Sequence, residues 1–296
     1  MRGPEATREN LVNAVLAVAL LAAPLIAVAL DEPFYVSLAS RVAILALAGV
    51  GLNLALGSGG MVSFGHAAFF GLGGYVAGIA GLHAFEGSAF LTWPLEVGGS
   101  ESMLVIWLLA VALSALVALA IGAISLRTSG VYFIMITLAF AQMIYYFAIS
   151  LPTYGGEDGL SIYVRSRLPF IDADDRLTFF LVCYGLLLAA LFFCHRLVDS
   201  RFGAALACAR MNPERLGTLG IAPFPVKLTA FTLSATITGL AGALFAELNG
   251  FVSPSMLSWH TSGQIIIFVI LGGVGRLFGP LAGATLFILL ESFIGG

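Results

Sequence analysis

Runs of apolar residues separated by short polar gaps are the dominant pattern along the chain. A helix that crosses the hydrocarbon core of a membrane needs about 20 mainly apolar residues. The runs that approach or meet this condition cover residues 12–30, 41–56, 62–85, 103–126, 130–151, 177–197, 226–248, 262–275 and 279–294. The pattern predicts an all-α polytopic membrane protein, with residues 1–296 in a single transmembrane domain. We expect about eight to ten transmembrane or broken helices.

Glycine or proline interrupts the third run and the last two. Both residues break regular helix, and membranes tolerate irregular backbone only where protein or water covers it. These runs are therefore predicted to be half-helices or re-entrant segments. The Gly-rich stretch at 272–280 faintly echoes the stretch at 57–65, which is at best a trace of an internal repeat.

The composition agrees with lipid as the natural solvent of the chain. Hydrophobic residues make up 60% of the 296 residues and charged residues only 10%, which excludes an ordinary soluble globular domain. The first run precedes Asp31 and Glu32 without an A-x-A-like cleavage site. We interpret it as a retained helix, with a cleaved signal peptide as the alternative.

The placement of lysine and arginine predicts the orientation, because basic loops stay cytoplasmic. With the N-terminus inside and nine crossings, nine of the 13 basic residues fall inside: Arg2, Arg8, Arg127, Arg196, Arg201, Arg210, Arg215, Lys227 and Arg276. The four that fall outside are Arg41, Arg165, Arg167 and Arg176. This asymmetry predicts a cytoplasmic N-terminus, an external loop at 151–176 and a cytoplasmic segment at 198–225.

Those two polar stretches are long enough to have roles of their own. Residues 151–176 contain LPTYGGEDGL, whose glycines predict tight turns, and form either a docking surface or a solvated connector. Residues 198–225 have helical apolar spacing and end in a Gly-Ile-x-Pro-x-Pro stop. They predict a short helix that lies against the membrane or a partner, with an inert amphipathic loop as the alternative.

The chain lacks the residues of a P-loop nucleotide site. A Walker A loop needs Gly-Lys-Ser/Thr, and the single lysine, Lys227, lies between Val226 and Leu228. A proton- or sodium-coupled carrier usually needs carboxylates inside its spans, whereas Glu247 and Glu291 lie near span ends. We therefore expect a transport protein that is not an enzyme and binds no cofactor or metal. A passive channel is the rival from a different class.

The stretch GSGGMVSFGHAAFFGLGGY at 57–75 is the main candidate for a solute path. A half-helix that begins near Ser63 points its free amides and positive end into the protein, which suits a substrate carboxylate. Ser63 is the candidate cap, and the ionisable His66 is a functional candidate, with a structural histidine that donates to a neighbouring carbonyl as the alternative. The other candidates are Phe64, Gly65, Phe69 and Phe70, where the phenylalanines either line an apolar path or simply pack.

Two further positions are second-rank candidates for the wall of the path. Thr137 can bond its own helix backbone, whereas the amide of Gln142 has donors and an acceptor to satisfy. Gly71, Gly74 and Gly78 share one helix face at small-xxx-small spacing, which predicts close helix contact.

Five blocks resemble the motifs of one known family. They are LNLALGSGGMVSFGHAAFFGLGGYVAG, LRTSGVYFIMITLAFAQMIYY, YGGEDGL, ARMNPERLGTLGIAPFPVKLTAFTLSATITGLAGALFA and LGGVGRLFGPLAGA, and they span roughly residues 52–284 in the family's order. The family comprises the membrane permease subunits of bacterial branched-chain amino-acid ABC importers. Permeases for urea and short amides share most of these motifs, so both solute classes stay open.

The resemblance implies partners and a location in the bacterial inner membrane. The partners are a second permease, an extracytoplasmic solute-binding protein, two cytoplasmic ATPase subunits that use ATP, and the lipid bilayer, with no nucleic acid. The fourth block resembles the ATPase-coupling loop, and this assigns coupling to Arg210, Asn212, Glu214, Arg215 and Gly220. The chain differs from many relatives in ending at ESFIGG without a polar tail, so either a final helix is missing or the chain is truncated.

Overall fold

The computed structural model describes residues 4–29, 32–87, 89–91, 97–98, 102–162 and 175–295. The predicted external loop is therefore described only at its two ends, and Arg2, Arg165 and Arg167 lie outside the described residues. The described residues form α-helices and two short two-stranded antiparallel sheets. This confirms the predicted all-α polytopic class.

The helices follow the apolar runs closely. They are α1 (Pro4–Ala29), α2 (Pro33–Asn53), α3 (His66–Glu86), α4 (Met103–Ser125), α5 (Val131–Ile149), α6 (Arg176–Val198), α7 (Arg201–Met211), α8 (Pro213–Thr218), α9 (Pro223–Asn249), α10 (Trp259–Gly272) and α11 (Gly279–Gly295). A π-helical turn, Leu54–Ser58, continues α2. The strands are β1 (Ala89–Leu91), β2 (Val97–Gly98), β3 (Leu160–Ser161) and β4 (Phe251–Val252), paired as β1–β2 and β3–β4.

Every helix except α7 and α8 corresponds to one of the predicted runs. Within the described residues, six helices are long and apolar enough to cross a membrane, namely α2 to α6 and α9. Shorter apolar helices occur at Val15–Val28, Trp259–Gly272 and Gly279–Ile294. Together they account for the predicted number of transmembrane or broken helices.

Two helices, α7 and α8, occupy the segment in which the sequence predicted one. Pro213 has no backbone N–H and disfavours helical geometry at the residue before it, so Asn212 adopts φ −154° and ψ 97°. The side chain of Asn212 then caps α8 by accepting a hydrogen bond from the backbone N–H of Arg215 (3.1 Å). The chain leaves α8 through Gly220 at φ +81°, a conformation that glycine adopts readily. The predicted Gly-Ile-x-Pro-x-Pro stop, which begins at Gly220, is confirmed.

The centre of the bundle is built by α2, α3 and α9. Ser234 of α9 donates to the carbonyl of Gly51 in α2 (2.6 Å). Thr238 lies one turn after Ser234 and approaches the carbonyl of Ala48 (3.5 Å), which lies about one turn before Gly51. The two helices are therefore antiparallel. The first residue of α3, His66, has Nε2 2.7 Å from Ser234 Oγ. Because Ser234 lies about 16 Å along α9, α3 begins inside the bundle.

Two segments that interrupt the α-helices enter the bundle from opposite ends, and the second of them contains a short 3-10 helix, Pro254–Leu257. The first break, residues 59–65, leads from the π-helical turn to α3, and the second break, residues 250–258, leads from α9 to α10. Ser262, near the start of α10, accepts a hydrogen bond from the backbone N–H of Ala67 at the start of α3 (2.9 Å). The turn after α10 bonds the side chain of Asn53 at the end of α2. α10 and α3 thus start together and run apart. The unit α2–break–α3 recurs in inverted orientation as α9–break–α10, as in many transporters.

The glycine face of α3 packs against the second break. Gly71, Gly74 and Gly78 lie against Leu257, Met256 and Val252, in that order. The predicted close contact at this face is confirmed, but the partner is the second break and not another α-helix. Most residues of the second break are buried or half-buried, and only Phe251 and Ser255 within it are exposed, so protein covers most of this irregular backbone, as a membrane requires.

The faint sequence echo between 57–65 and 272–280 does not mark the two halves of the structural repeat. Residues 273–278 form the turn between α10 and α11, in which Gly273 (φ +98°) and Gly275 (φ +84°) adopt left-handed backbone conformations. Glycine is common both in tight turns and in helix breaks, so composition alone does not separate the two. The structural counterpart of the first break is the second break.

α3 and α9 approach each other backbone to backbone. A methyl group placed on Gly73 would collide with the carbonyl oxygen of Gly239, and one placed on Gly242 would collide with that of Phe70. Small residues allow such approach and favour association of helices in lipid. The contact leaves no room for a solute between α3 and α9 at this level.

Gly242→Ala is expected to destabilise the protein, because a backbone carbonyl in α3 cannot move aside as a flexible side chain could. Overpacking of this kind costs about 1–3 kcal/mol. The matched control is Gly185→Ala in α6, where a methyl group meets no atom within 4 Å. Thermal unfolding of the purified protein in detergent should show a lower midpoint for the first variant only. Equal midpoints would contradict the packing described.

Candidate functional site

One hydroxyl group joins the two broken helices at the centre of the bundle. Ser262 Oγ donates to the carbonyl of Phe64 (2.6 Å) and accepts from the backbone N–H of Ala67 (2.9 Å). Ser262 is fully buried. The first N–H groups of a helix have no partner within the helix, and Ser262 supplies one for α3 from α10. We call the contact among Phe64, Ala67 and Ser262 the central junction.

Ser63 does not cap α3 at the position that the sequence predicted. Helix α3 begins three residues later, at His66, and Ser63 Oγ accepts a hydrogen bond from the backbone N–H of Gly65 (3.1 Å). Serine side chains form such local bonds readily and compete with helix. The predicted cap at Ser63 is therefore corrected, because Ser262 takes over the capping of this helix end.

His66 lies beside the junction in a fixed hydrogen-bonded arrangement. Ser234 has one hydroxyl proton, which it donates to the carbonyl of Gly51 (2.6 Å), so His66 Nε2 (2.7 Å) carries the proton that it donates to Ser234. The other ring nitrogen, Nδ1, is buried without a hydrogen-bond partner among the described residues. The rings of Phe69 and Phe231 stand edge-on to the imidazole, each with its centroid 5.7 Å away. The partner of His66 is thus a serine hydroxyl and not the carbonyl that the structural alternative predicted.

The three candidate phenylalanines lie in packed surroundings. Phe69 belongs to a small apolar cluster that also contains Phe231, and their ring centroids are 5.7 Å apart. Phe70 belongs to the main core, where its ring lies 5.4 Å from that of Phe245. Phe64 is half-buried against the same core. Packing is the role visible for all three, and contact with a solute stays a prediction.

Gly65 and Thr137 meet where the first break touches α5. A methyl group placed on Gly65 would lie 3.2 Å from the carbonyl oxygen of Thr137. Thr137 is buried and bonds its own helix at the carbonyl of Ile134 (3.0 Å), as expected for threonine in a membrane helix. Bulk at Gly65 therefore disturbs packing whether or not a solute passes here. Gln142 is half-buried further along α5, and its Nε2 has no hydrogen-bond partner among the described residues.

The predicted coupling residues lie together on α7, α8 and the turns beside them. Glu214 and Arg215 are exposed on α8, between the capping Asn212 and the helix-ending Gly220. Arg210 differs from the others, because its guanidinium donates to the carbonyl of Gly57 in the π-helical turn after α2. The predicted segment thus has an exposed polar part and one side chain directed into the membrane domain.

A cavity of about 790 Å³ opens on the face of the bundle opposite α7 and α8. Its wall includes Ser37, Arg41, Arg176, Leu248, Asn249 and Glu291. Arg41 and Glu291 form an exposed ion pair (3.5 Å). Helix α6 begins beside this cavity, where Asp175 caps it, and the hydrogen bond from Thr178 Oγ1 (2.9 Å) lowers the pKa of the Asp175 carboxyl.

Sequence reasoning missed the residues that hold this region together. Asn53, Ser234 and Ser262 are buried polar residues within or beside apolar runs, and Phe231 completes the aromatic surroundings of His66. A signal was present, because a polar side chain in an apolar run must find a partner. The sequence could not indicate which partner.

The fold and the central junction define a polytopic all-α membrane protein with two broken helices in inverted orientation, an architecture typical of transporters. The chain belongs to the family described as "Branched-chain amino acid transport system / permease component", whose profile matches residues 34–296.

Two relatives are both described as "High-affinity branched-chain amino acid transport system permease protein LivM". One is from Salmonella typhimurium and the other from Escherichia coli strain K12. Each is 29% identical over 294 residues, an alignment that covers 90% of this chain and 66% of the relative. The chain therefore spans just under two thirds of their length. No solved structure matches the chain.

The bond between His66 and Ser234 is expected to appear as coupling in a double-mutant cycle. His66→Ala or Ser234→Ala leaves a buried polar group unpaired, so each should lower the free energy of unfolding by about 1–3 kcal/mol. The double variant should lose about 0.5–3 kcal/mol less than the sum. Unfolding of the purified protein by heat or denaturant provides the measurement.

The control for this cycle is Thr229→Ala on the same helix, α9. Thr229 is exposed, and among the described residues its hydroxyl bonds the carbonyl of Pro225 in its own helix (2.8 Å). It should show no coupling to His66→Ala. Strictly additive losses for His66 and Ser234 would mean that their bond does not contribute to stability.

Proposed function

We propose that this chain is the transmembrane permease subunit of an ATP-driven ABC importer for branched-chain or similar hydrophobic amino acids. It would form the solute path together with a partner permease, receive solute from an extracytoplasmic binding protein and be driven by two cytoplasmic ATPase subunits. The observation that carries the proposal is the family match across residues 34–296. The names of the two LivM relatives support the solute class.

The packing of the candidate path residues supports a path that is formed with a partner and opened by movement. Ser63, His66, Phe69, Phe70 and Thr137 are each at most 1% exposed. In this proposal a solute reaches the first break only when the bundle rearranges. The chain alone would then be closed, in contrast to a passive channel.

The distribution of basic residues supports a cytoplasmic location of α7 and α8. The basic residues at the face that carries these helices are Arg127, Arg196, Arg201, Arg210, Arg215, Lys227 and Arg276. Arg41 and Arg176 lie at the opposite face. Because basic loops stay inside, we propose that the N-terminus is cytoplasmic in the bacterial inner membrane. The cavity beside Arg41 then faces the binding protein.

Reconstituted transport tests this proposal. The complex, assembled with the partner permease, the ATPases and the binding protein encoded with it, is placed in vesicles, and uptake of radiolabelled leucine is measured. Uptake should require both ATP and the binding protein, because the closed bundle opens only when ATPases do work on it. A variant ATPase that binds ATP but does not hydrolyse it serves as the control and should abolish uptake.

Three results would contradict parts of the proposal. ATP-independent equilibration of leucine would favour a passive channel. ATP-driven uptake of urea or acetamide in place of leucine would transfer the chain to the urea and short-amide class. Full uptake without any partner permease would contradict a shared path.

A further inference from the structure

The turn after α2 is held from the side of α7 by a single cationic side chain. The last carbonyls of a helix lack partners within the helix and carry partial negative charge. Arg210 of α7 donates to one of them, the carbonyl of Gly57. Its aliphatic stem crosses Gly60, where a methyl group would lie 2.8 Å from Arg210 Cγ. Gly60 also has φ +66°, so glycine at this position serves both the turn and the approach of Arg210.

A second contact of α7 reaches the start of α3. Leu206, one turn before Arg210, is fully buried in the small apolar cluster that contains Met61 of the first break and Phe69 of α3. Phe231, which stands edge-on to His66, belongs to the same cluster. Helix α7 is thus linked to the turn before the first break by Arg210, and to Met61 and the start of α3 by this cluster.

The opposite side of the same turn is held by the rest of the membrane domain. Asn53 donates to the carbonyl of Arg276 (2.8 Å) and accepts from the backbone N–H of Gly275 (2.9 Å). Both hydrogen bonds lie in the turn between α10 and α11. The π-helical turn is thus fixed between α7 on one side and the α10–α11 turn on the other, and π-helical turns often mark functional sites.

We propose that Arg210 is the positioning residue through which displacement of α7 and α8 moves the first break and the start of α3. The inference rests on the proposed function, since it assumes that the ATPases act on α7 and α8. It adds a defined route within this chain: α7, Arg210, the carbonyl of Gly57, residues 59–65 and the central junction. Coupling of this kind requires an element with two arrangements, and the first break is that element.

The test uses the complete reconstituted complex with Arg210→Gln, Arg210→Lys or Gly60→Ala. Glutamine removes the charge and is too short to reach the carbonyl of Gly57, whereas lysine keeps a cation that can donate to it. Alanine at position 60 displaces the aliphatic stem of Arg210 without changing the charge. The control is Arg196→Gln, an exposed arginine in the last turn of α6 on the same face. Three quantities are measured: ATP hydrolysis, leucine uptake, and hydrogen–deuterium exchange of residues 57–65 with and without ATP.

Arg210→Gln and Gly60→Ala are expected to keep ATP hydrolysis while uptake falls about fivefold or more, the range of typical coupling between sites. The difference in exchange at 57–65 between the ATP-bound and ATP-free complex should disappear in both. Arg210→Lys should retain part of the uptake, and Arg196→Gln all of it. A purely structural role of Arg210 would raise exchange equally in both states and leave the ATP-dependent difference in place.

Normal uptake together with an unchanged ATP-dependent difference in Arg210→Gln would overturn the inference. The exchange measurement does not depend on the solute. If the wild-type complex hydrolyses ATP but takes up no leucine, the proposed solute fails, while loss of the exchange difference in the variants still supports the link. If exchange at 57–65 in the wild-type complex does not respond to ATP at all, the link fails by itself.

Discussion

The rest of the structure depends on the two hydrogen bonds that the buried hydroxyl group of Ser262 makes. Two chain segments leave regular helix inside a membrane protein, and each must satisfy its backbone groups without water. Ser262 donates to the carbonyl of Phe64 and accepts from the N–H of Ala67, so the first break and α3 are completed by α10. Without this contact a helix end would be left unpaired in the core, which costs about 1–3 kcal/mol per group.

The helix contacts and the position of α7 and α8 follow from this junction, which holds the two broken helices at the same depth in the bundle. Backbone contact between α3 and α9 requires glycine at Gly73 and Gly242, and the inverted orientation of the two units places one break toward each face. The segment from α7 to α8 lies against the break that opens toward its own face. Arg210 joins them at Gly57. The arrangement places the first break between the proposed site of ATPase action and the centre of the protein.

The sequence predicted the helices well and the junction only in part. The hydrophobic runs predict where the helices lie, because a helix in lipid needs a long apolar stretch. The glycine at 220 predicts the end of a helix, because glycine adopts the backbone conformation that such an end requires. The half-helix was predicted to begin near Ser63 with Ser63 as its cap, but α3 begins at His66 and its N–H at Ala67 bonds Ser262, almost 200 residues away in the chain. The run at 262–275 was predicted to be a half-helix or re-entrant segment, but residues 250–258 lie between two apolar runs, so neither the second break nor its pairing with α3 was predicted.

Hydrogen–deuterium exchange at Ala67 tests the central junction most directly. In the purified protein the Ala67 amide should be among the slowly exchanging amides of α3, because its bond to Ser262 is buried. In Ser262→Ala the Ala67 amide should exchange about tenfold faster, which corresponds to a loss of about 1.4 kcal/mol. Ser255→Ala, at an exposed serine of the second break, should leave the exchange of Ala67 unchanged. Equal exchange of Ala67 in the wild type and in Ser262→Ala would contradict the account.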